Sequence, residues 1–164
     1  LPLIVKQNEE MSDQAECFIC SKHQQGKEAE GGILYEDELV YVGHLHTMGA
    51  PSVYRGWLVV ETKRHVAELG DLEDDEAAAI GVTANRVSRV LRSAGADHVY
   101  AFVLGDAVPH LHVHLAPRYA GTPREYWGTR LGEWPDAPQV DAAAIAQVVS
   151  DLRRTLEATP SGKG

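Results

Sequence analysis

Cysteine occurs only twice in the 164 residues, at Cys17 and Cys20. Two are too few for a disulfide scaffold, which sets the chain apart from small secreted domains stapled by cross-links. Long apolar runs are also missing. None approaches the roughly 18 residues needed to span a membrane. The opening Leu1-Pro2-Leu3-Ile4-Val5 is too short for a signal-peptide core and has no basic region before it. Positive charge is scarce as well. Fifteen Lys and Arg against 24 Asp and Glu leave a formal charge of −9, where a general nucleic-acid binder would carry a basic stripe. Anionic small molecules stay admissible, since a pocket needs only local positive charge. These absences point to a cytoplasmic protein that engages neither nucleic acid nor membrane.

What is present fits one globular domain with its own core: 44% apolar and 24% charged residues are ordinary for a folded chain of this length. The domain is expected over residues 17–157, between a loosely ordered segment 1–16 and a flexible tail 158–164. Met11 is a candidate natural start, which would make the first ten residues an upstream extension. No internal repeat is visible.

Ile33-Leu34-Tyr35 and Leu39-Val40-Tyr41-Val42, joined by Glu36-Asp37-Glu38, read as a hairpin. Gly56–Glu61 reads as a third strand and Val99–Leu104 as a fourth. Between them lies a helix that Asp71 can cap, with Ile80, Val87 and Leu91 at helical spacing and Gly95 as its stop. The stretch from Cys20 to Gly32 reads as a charged loop, and 119–138 as an irregular excursion rich in Gly, Pro and aromatics. A last helix is expected from about Asp141 to Leu156, with Ile145, Val148, Val149 and Leu152 on one stripe. The sum is an α+β domain: an antiparallel sheet of about five strands with two main helices.

One segment stands out. His110-Leu111-His112-Val113-His114-Leu115-Ala116 alternates imidazole with apolar residues, the pattern of a strand whose residues two apart share a face. Leu111, Val113 and Leu115 would enter a core and the histidines would line the other face. A solvent-facing strand that merely carries histidines is the plain alternative, but three in register read as a reaction site.

Cys17-Phe18-Ile19-Cys20 has the Cys-x-x-Cys spacing by which two thiolates grip one zinc from a tight turn, with two further ligands needed for a closed tetrahedral site. On a strand, His110 and His114 would lie about 13 Å apart, too far for one ion to hold the whole row. At least one histidine is therefore left for other work. His65, just after the third strand, is the other strong candidate ligand. A redox Cys-x-x-Cys is the competing reading, although such motifs usually follow a strand and none is expected here. Two buried cysteines without a partner is another.

These residues resemble the histidine triad superfamily, whose motif is His-φ-His-φ-His-φ-φ with φ apolar; Pro117-Arg118 continues it as in many members. The resemblance extends over most of residues 17–118. It takes in Cys17-x-x-Cys20, the hairpin around Tyr35-Glu36-Asp37-Glu38, and Gly56-Trp57-Leu58-Val59-Val60-Glu61-Thr62-Lys63-Arg64-His65, which is similar to the family's Gly-His-x-Leu-Val-x-Pro-Lys-x-His. It implies an α+β fold, commonly a homodimer, acting on nucleotides linked through phosphate to a leaving group. Its zinc-bearing branches imply a structural zinc on Cys17, Cys20, His65 and His110. His112 matches the nucleophile and His114 the phosphate contact.

An imidazole is a competent nucleophile near neutral pH, so the resemblance implies a nucleotidyl-His112 intermediate resolved by water or another acceptor. Hydrolysis of dinucleoside polyphosphates or nucleoside phosphoramidates is the leading expectation; phosphorolysis or nucleotidyl transfer is the alternative, and a binding protein with vestigial catalysis a third. Arg118 and Lys63 are candidate contacts for a polyphosphate tail, or ordinary surface charges. In Thr122–Trp127, Arg124 is a candidate phosphate contact beside aromatics that could stack on a base; otherwise the segment packs on the sheet or forms a dimer contact. Three departures from the family bear on substrate. Ala107 stands where a hydroxyl is usual, which leaves Asp106, the backbone or the substrate itself to substitute; Trp57 replaces a histidine; and Leu45 falls where an acidic ribose ligand is usual.

Overall fold

The computed structural model describes residues 17–159. The expected loose segment 1–16 lies outside the described residues, as do positions 160–164 of the expected tail.

Helix α1 (Phe18–Gln25) opens the described chain, where a loop was expected. Its periodicity is hidden because the buried positions are Ile19 and Lys22, three apart on one face, and a lysine does not read as core. Strands β1 (Ile33–Glu36), β2 (Val40–His44), β3 (Val53–Tyr54) and β4 (Leu58–Thr62) follow. Helix α2 spans Asp74–Ser93. Its N-cap is Glu73 rather than Asp71: the Glu73 N–H donates to Glu76 at 2.9 Å, while Asp71 closes a preceding 3₁₀ turn by accepting from the Glu68 N–H. Strand β5 is His98–Phe102, ending two residues before the expected Leu104. Strand β6 is His112–Arg118, beginning after His110. A short β7 (Gln139–Val140) and helix α3 (Ala142–Ala158) complete the chain. Asp141 caps α3 through the Ala144 N–H at 2.8 Å. Among the described residues no helix is long and apolar enough to cross a membrane.

The five main strands form one antiparallel sheet in the order β1-β2-β4-β6-β5, and β3 pairs with β7 separately. This is the expected architecture of five antiparallel strands and two main helices. The pleat sorts side chains to two faces. Val40, Val42, Leu58, Val60, Val113 and Leu115 share the main core with Ile80, Val87 and Leu91 of α2 and Ile145, Val149 and Leu152 of α3. The other face carries Val59, Glu61, His112 and His114, because β4 and β6 pair Glu61 with His112 and Val59 with His114. The excursion 119–138 covers part of that second face through Leu131 and Ala137, which cluster with Tyr54, Trp57 and Ala116. Gly56 admits no side chain: its φ is +77°, and a Cβ there would meet the Tyr119 hydroxyl at 2.7 Å. The sharp turn it makes delivers Trp57 onto the histidine face.

Candidate active site

Four of the expected residues converge where α1 meets the start of β6. Cys17 is the N-cap of α1 and Cys20 lies in its first turn, so a helix, not a tight turn, sets the thiol spacing. The ligand atoms of Cys17, Cys20, His65 and His110 all lie within 4.8 Å of one another. His110 Nδ1 is 3.5 Å from each sulfur, and His65 Nδ1 is 3.4 Å from Cys20 Sγ. A tetrahedral zinc with bonds of roughly 2.3 Å to sulfur and 2.0–2.1 Å to nitrogen sets S and N about 3.5 Å apart, so the donor set fits. The His110 Nε2–H donates to the Thr62 carbonyl at 2.7 Å, which turns the Nδ1 lone pair toward the thiols, the arrangement that orients a metal-binding imidazole. Burial pushes the Cys20 thiol up to about 11, with the hydrogen bond and charge of Cys17 adding to it. A bound cation would reverse that by favouring thiolate.

His112 follows two residues on. Its Nδ1–H donates to the His110 carbonyl at 2.6 Å, and with Nδ1 protonated the lone pair is on Nε2. His114, 8% exposed, receives the indole N–H of Trp57 on Nδ1 at 3.1 Å. Phe102 stacks on its ring at 5.1 Å with 19° between planes. Burial, reinforced by His112, lowers His114 to about 4, so it is neutral at physiological pH.

Both imidazoles line a cavity of about 200 Å³. Its apolar walls include Phe18, Leu45, Met48, Val59, Ala107 and Val108. The loop bearing Leu45, His46 and Met48 is anchored by Glu30, which accepts the Thr47 N–H at 2.6 Å and its hydroxyl at 2.8 Å. Lys22 and Glu61 also line the cavity and pair with each other, 2% and 1% exposed. His23 donates to the second Glu61 oxygen at 2.9 Å. Burial alone would raise the Glu61 carboxyl, but the His23 hydrogen bond and the charge and hydrogen bond of Lys22 outweigh it and hold the group below its ordinary value.

The other expected substrate contacts stand apart from this cavity. Lys63 donates to Glu36 at 2.6 Å on the surface. Arg118 lies 3.9 Å and Arg124 5.7 Å from the centre of the Trp127 ring. Asp106 lines a different cavity, with Leu69, Leu104 and Pro109 among its walls. The hydroxyl-free loop therefore contributes only apolar Ala107 and Val108 to the histidine cavity. Sequence reasoning did not identify Lys22, Glu61 and Phe18 as cavity residues. A carboxylate within Leu58–Thr62, directly across from a triad histidine, was the one available signal for Glu61.

The family model of the HIT domain matches residues 26–121. The chain belongs to the HIT domain family. Two curated relatives, each named AP-4-A phosphorylase, come from Mycobacterium tuberculosis strains CDC 1551 / Oshkosh and ATCC 25618 / H37Rv. Each is 30% identical over 134 residues, covering 77% of this chain. The chain spans 62% of the length of these relatives. Among solved structures, a Zn-bound histidine triad family protein from Mycobacterium smegmatis is similar with a TM-score of 0.64 at 19% identity, over 88% of this chain and 96% of that one. A histidine triad protein from Bradyrhizobium japonicum gives 0.58 at 27% identity, over 76% and 89%. The fold is shared with these two solved structures.

Proposed function

We propose that the protein cleaves a phosphoanhydride or phosphoramidate bond of a nucleotide, a dinucleoside polyphosphate or a nucleoside phosphoramidate, through a nucleotidyl-His112 intermediate. The observation that carries this is the Nδ1–H bond from His112 to the His110 carbonyl at 2.6 Å, which leaves Nε2 with its lone pair on a residue that lines the apolar-walled cavity. Nε2 attacks phosphorus; a P–N bond forms and the P–O or P–N bond to the leaving group breaks, its electron pair departing with that group, which takes up a proton from solvent where it leaves as an amine. His114 donates to a non-bridging phosphoryl oxygen as charge builds there. An acceptor then attacks the same phosphorus, and the electron pair of the broken P–N bond returns to Nε2.

Water is the acceptor in the first reading. Inorganic phosphate is the second, favoured by the two relatives named AP-4-A phosphorylase. Arg118 and Arg124, gathered at Trp127, are proposed to meet the distal phosphates of a long substrate. Lys63 and Asp106, with their other neighbours, have no part in the proposal. A cytoplasmic location fits two unpaired cysteines, and a homodimer is the assembly proposed from the family.

The test is direct. Incubation with an α-labelled diadenosine polyphosphate or adenosine phosphoramidate is expected to leave an acid-labile, base-stable nucleotidyl label that maps to His112. Running the panel with and without inorganic phosphate separates the two acceptors. Absence of label under turnover would remove the covalent reading.

Zinc is the proposed metal at Cys17, Cys20, His65 and His110. Four protein ligands leave no open coordination position, so its contribution is structural, tying α1 to the start of β6. Elemental analysis is expected to give about one zinc per chain. A Cys17→Ser/Cys20→Ser variant should lose the ion and melt at a lower temperature; a metal-free wild type of unchanged stability would refute the assignment.

A further inference from the structure

His112 and His114 sit two apart on one strand, yet their neighbours impose opposite proton positions. The partner of His112 Nδ1 is a carbonyl, which only accepts, so that nitrogen carries the proton. The partner of His114 Nδ1 is the indole N–H of Trp57 at 3.1 Å, which only donates. That nitrogen therefore meets it with a lone pair, and the single proton of a neutral imidazole lies on Nε2. Turning the ring over would set a C–H against the indole N–H. The His114 ring is also stacked on Phe102 and meets the His112 ring in a T-shaped contact with centroids 4.8 Å apart.

We propose that Trp57 is a positioning residue that holds His114 as the Nε2–H tautomer, so that the last histidine of the row presents a hydrogen-bond donor to the cavity while its neighbour presents a lone pair. With Nδ1 committed to Trp57, Nε2 is the polar atom left for a ligand. Its donor role toward a phosphoryl oxygen rests on the reading given under Proposed function; the tautomer itself does not. The indole is in turn seated by the excursion, through the cluster it forms with Tyr54, Ala116, Leu131 and Ala137. Segment 119–138 thus acts on the histidine row indirectly, by fixing the side chain that fixes His114.

Ring-nitrogen NMR of substrate-free protein tests the proposal. Wild type is expected to show His114 with Nδ1 bare and Nε2 protonated. Trp57→Phe keeps a large aromatic ring but removes the donor, and should give a mixed or reversed tautomer. Trp57→His, which can supply an N–H, should recover the wild-type pattern. Turnover reports the consequence: kcat should fall about ten- to a hundredfold in Trp57→Phe, with KM within about threefold, and return most of the way in Trp57→His. A wild-type His114 protonated on Nδ1 overturns the proposal, even if no variant folds. So does a Trp57→Phe enzyme with the wild-type tautomer and kcat. If wild type forms no nucleotidyl-His112, the functional reading falls, and the tautomer result is judged on the spectra alone.

Discussion

A His112→Asn variant is expected to lose at least about 10⁴-fold in turnover, equivalent to about 5–6 kcal/mol of transition-state stabilisation, and to form no covalent label. Removing a nucleophile is not graded, because the two-step route disappears with it. Asparagine suits the test because its side-chain amide can still donate to the His110 carbonyl that His112 now engages. The strand should therefore keep its local bonding while the attacking lone pair is gone. Steady-state rates with the preferred dinucleotide, together with the unfolding midpoint, separate lost chemistry from lost fold. A variant turning over at even a tenth of the wild-type rate would exclude His112 as the nucleophile.

Lys22→Met is expected to cost about 3–5 kcal/mol, the usual result of breaking a buried ion pair from one side, and to lower the melting temperature by on the order of 10 °C. Methionine matches the lysine stem in length, so packing changes little, but Glu61 is left 1% exposed with His23 as its remaining partner. Adding Glu61→Met should recover most of the loss, since replacing both charges by apolar groups removes the unpaired carboxylate. Thermal or urea unfolding of the two variants measures both effects. A single variant within about 1 kcal/mol of wild type would mean the pair behaves like a surface contact. The pH dependence has a definite sign. The folded state holds the Glu61 carboxyl below its ordinary value of 4.5, so the contribution is complete above that pH and is lost as pH falls through the lowered value. In Lys22→Met the carboxyl titrates higher, closer to its unfolded value, so the share of the acid loss of stability that Glu61 carries should shrink.

The parts of this site that were legible in the chain are those with a short period or a short spacing. Alternation of two assigned His112 and His114 to one face, and Cys-x-x-Cys with a histidine after the third strand marked three of the four donors that the fold brings together, His110 coming with the family resemblance. Helix α1 was not legible, because its inward face is built from Ile19 and Lys22 rather than an apolar stripe. The Lys22–Glu61 pair joins positions 39 residues apart, and Trp57 reaches His114 across 57. Nothing local marks such contacts: the first exists only once α1 packs against β4, the second only once β4 lies beside β6. Trp57 was visible as a departure from the family pattern, but its purpose depended on knowing which nitrogen it faces.

His110 belongs to two assemblies at once. Its ring faces the thiols while its backbone oxygen holds the His112 ring. Displacing that residue would disturb both in a single event, without any substrate atom touching the metal. A preparation carrying half its metal would then be a mixture of competent and incompetent molecules rather than a uniformly slower enzyme. The fraction of active sites, not the speed of each, would follow metal supply.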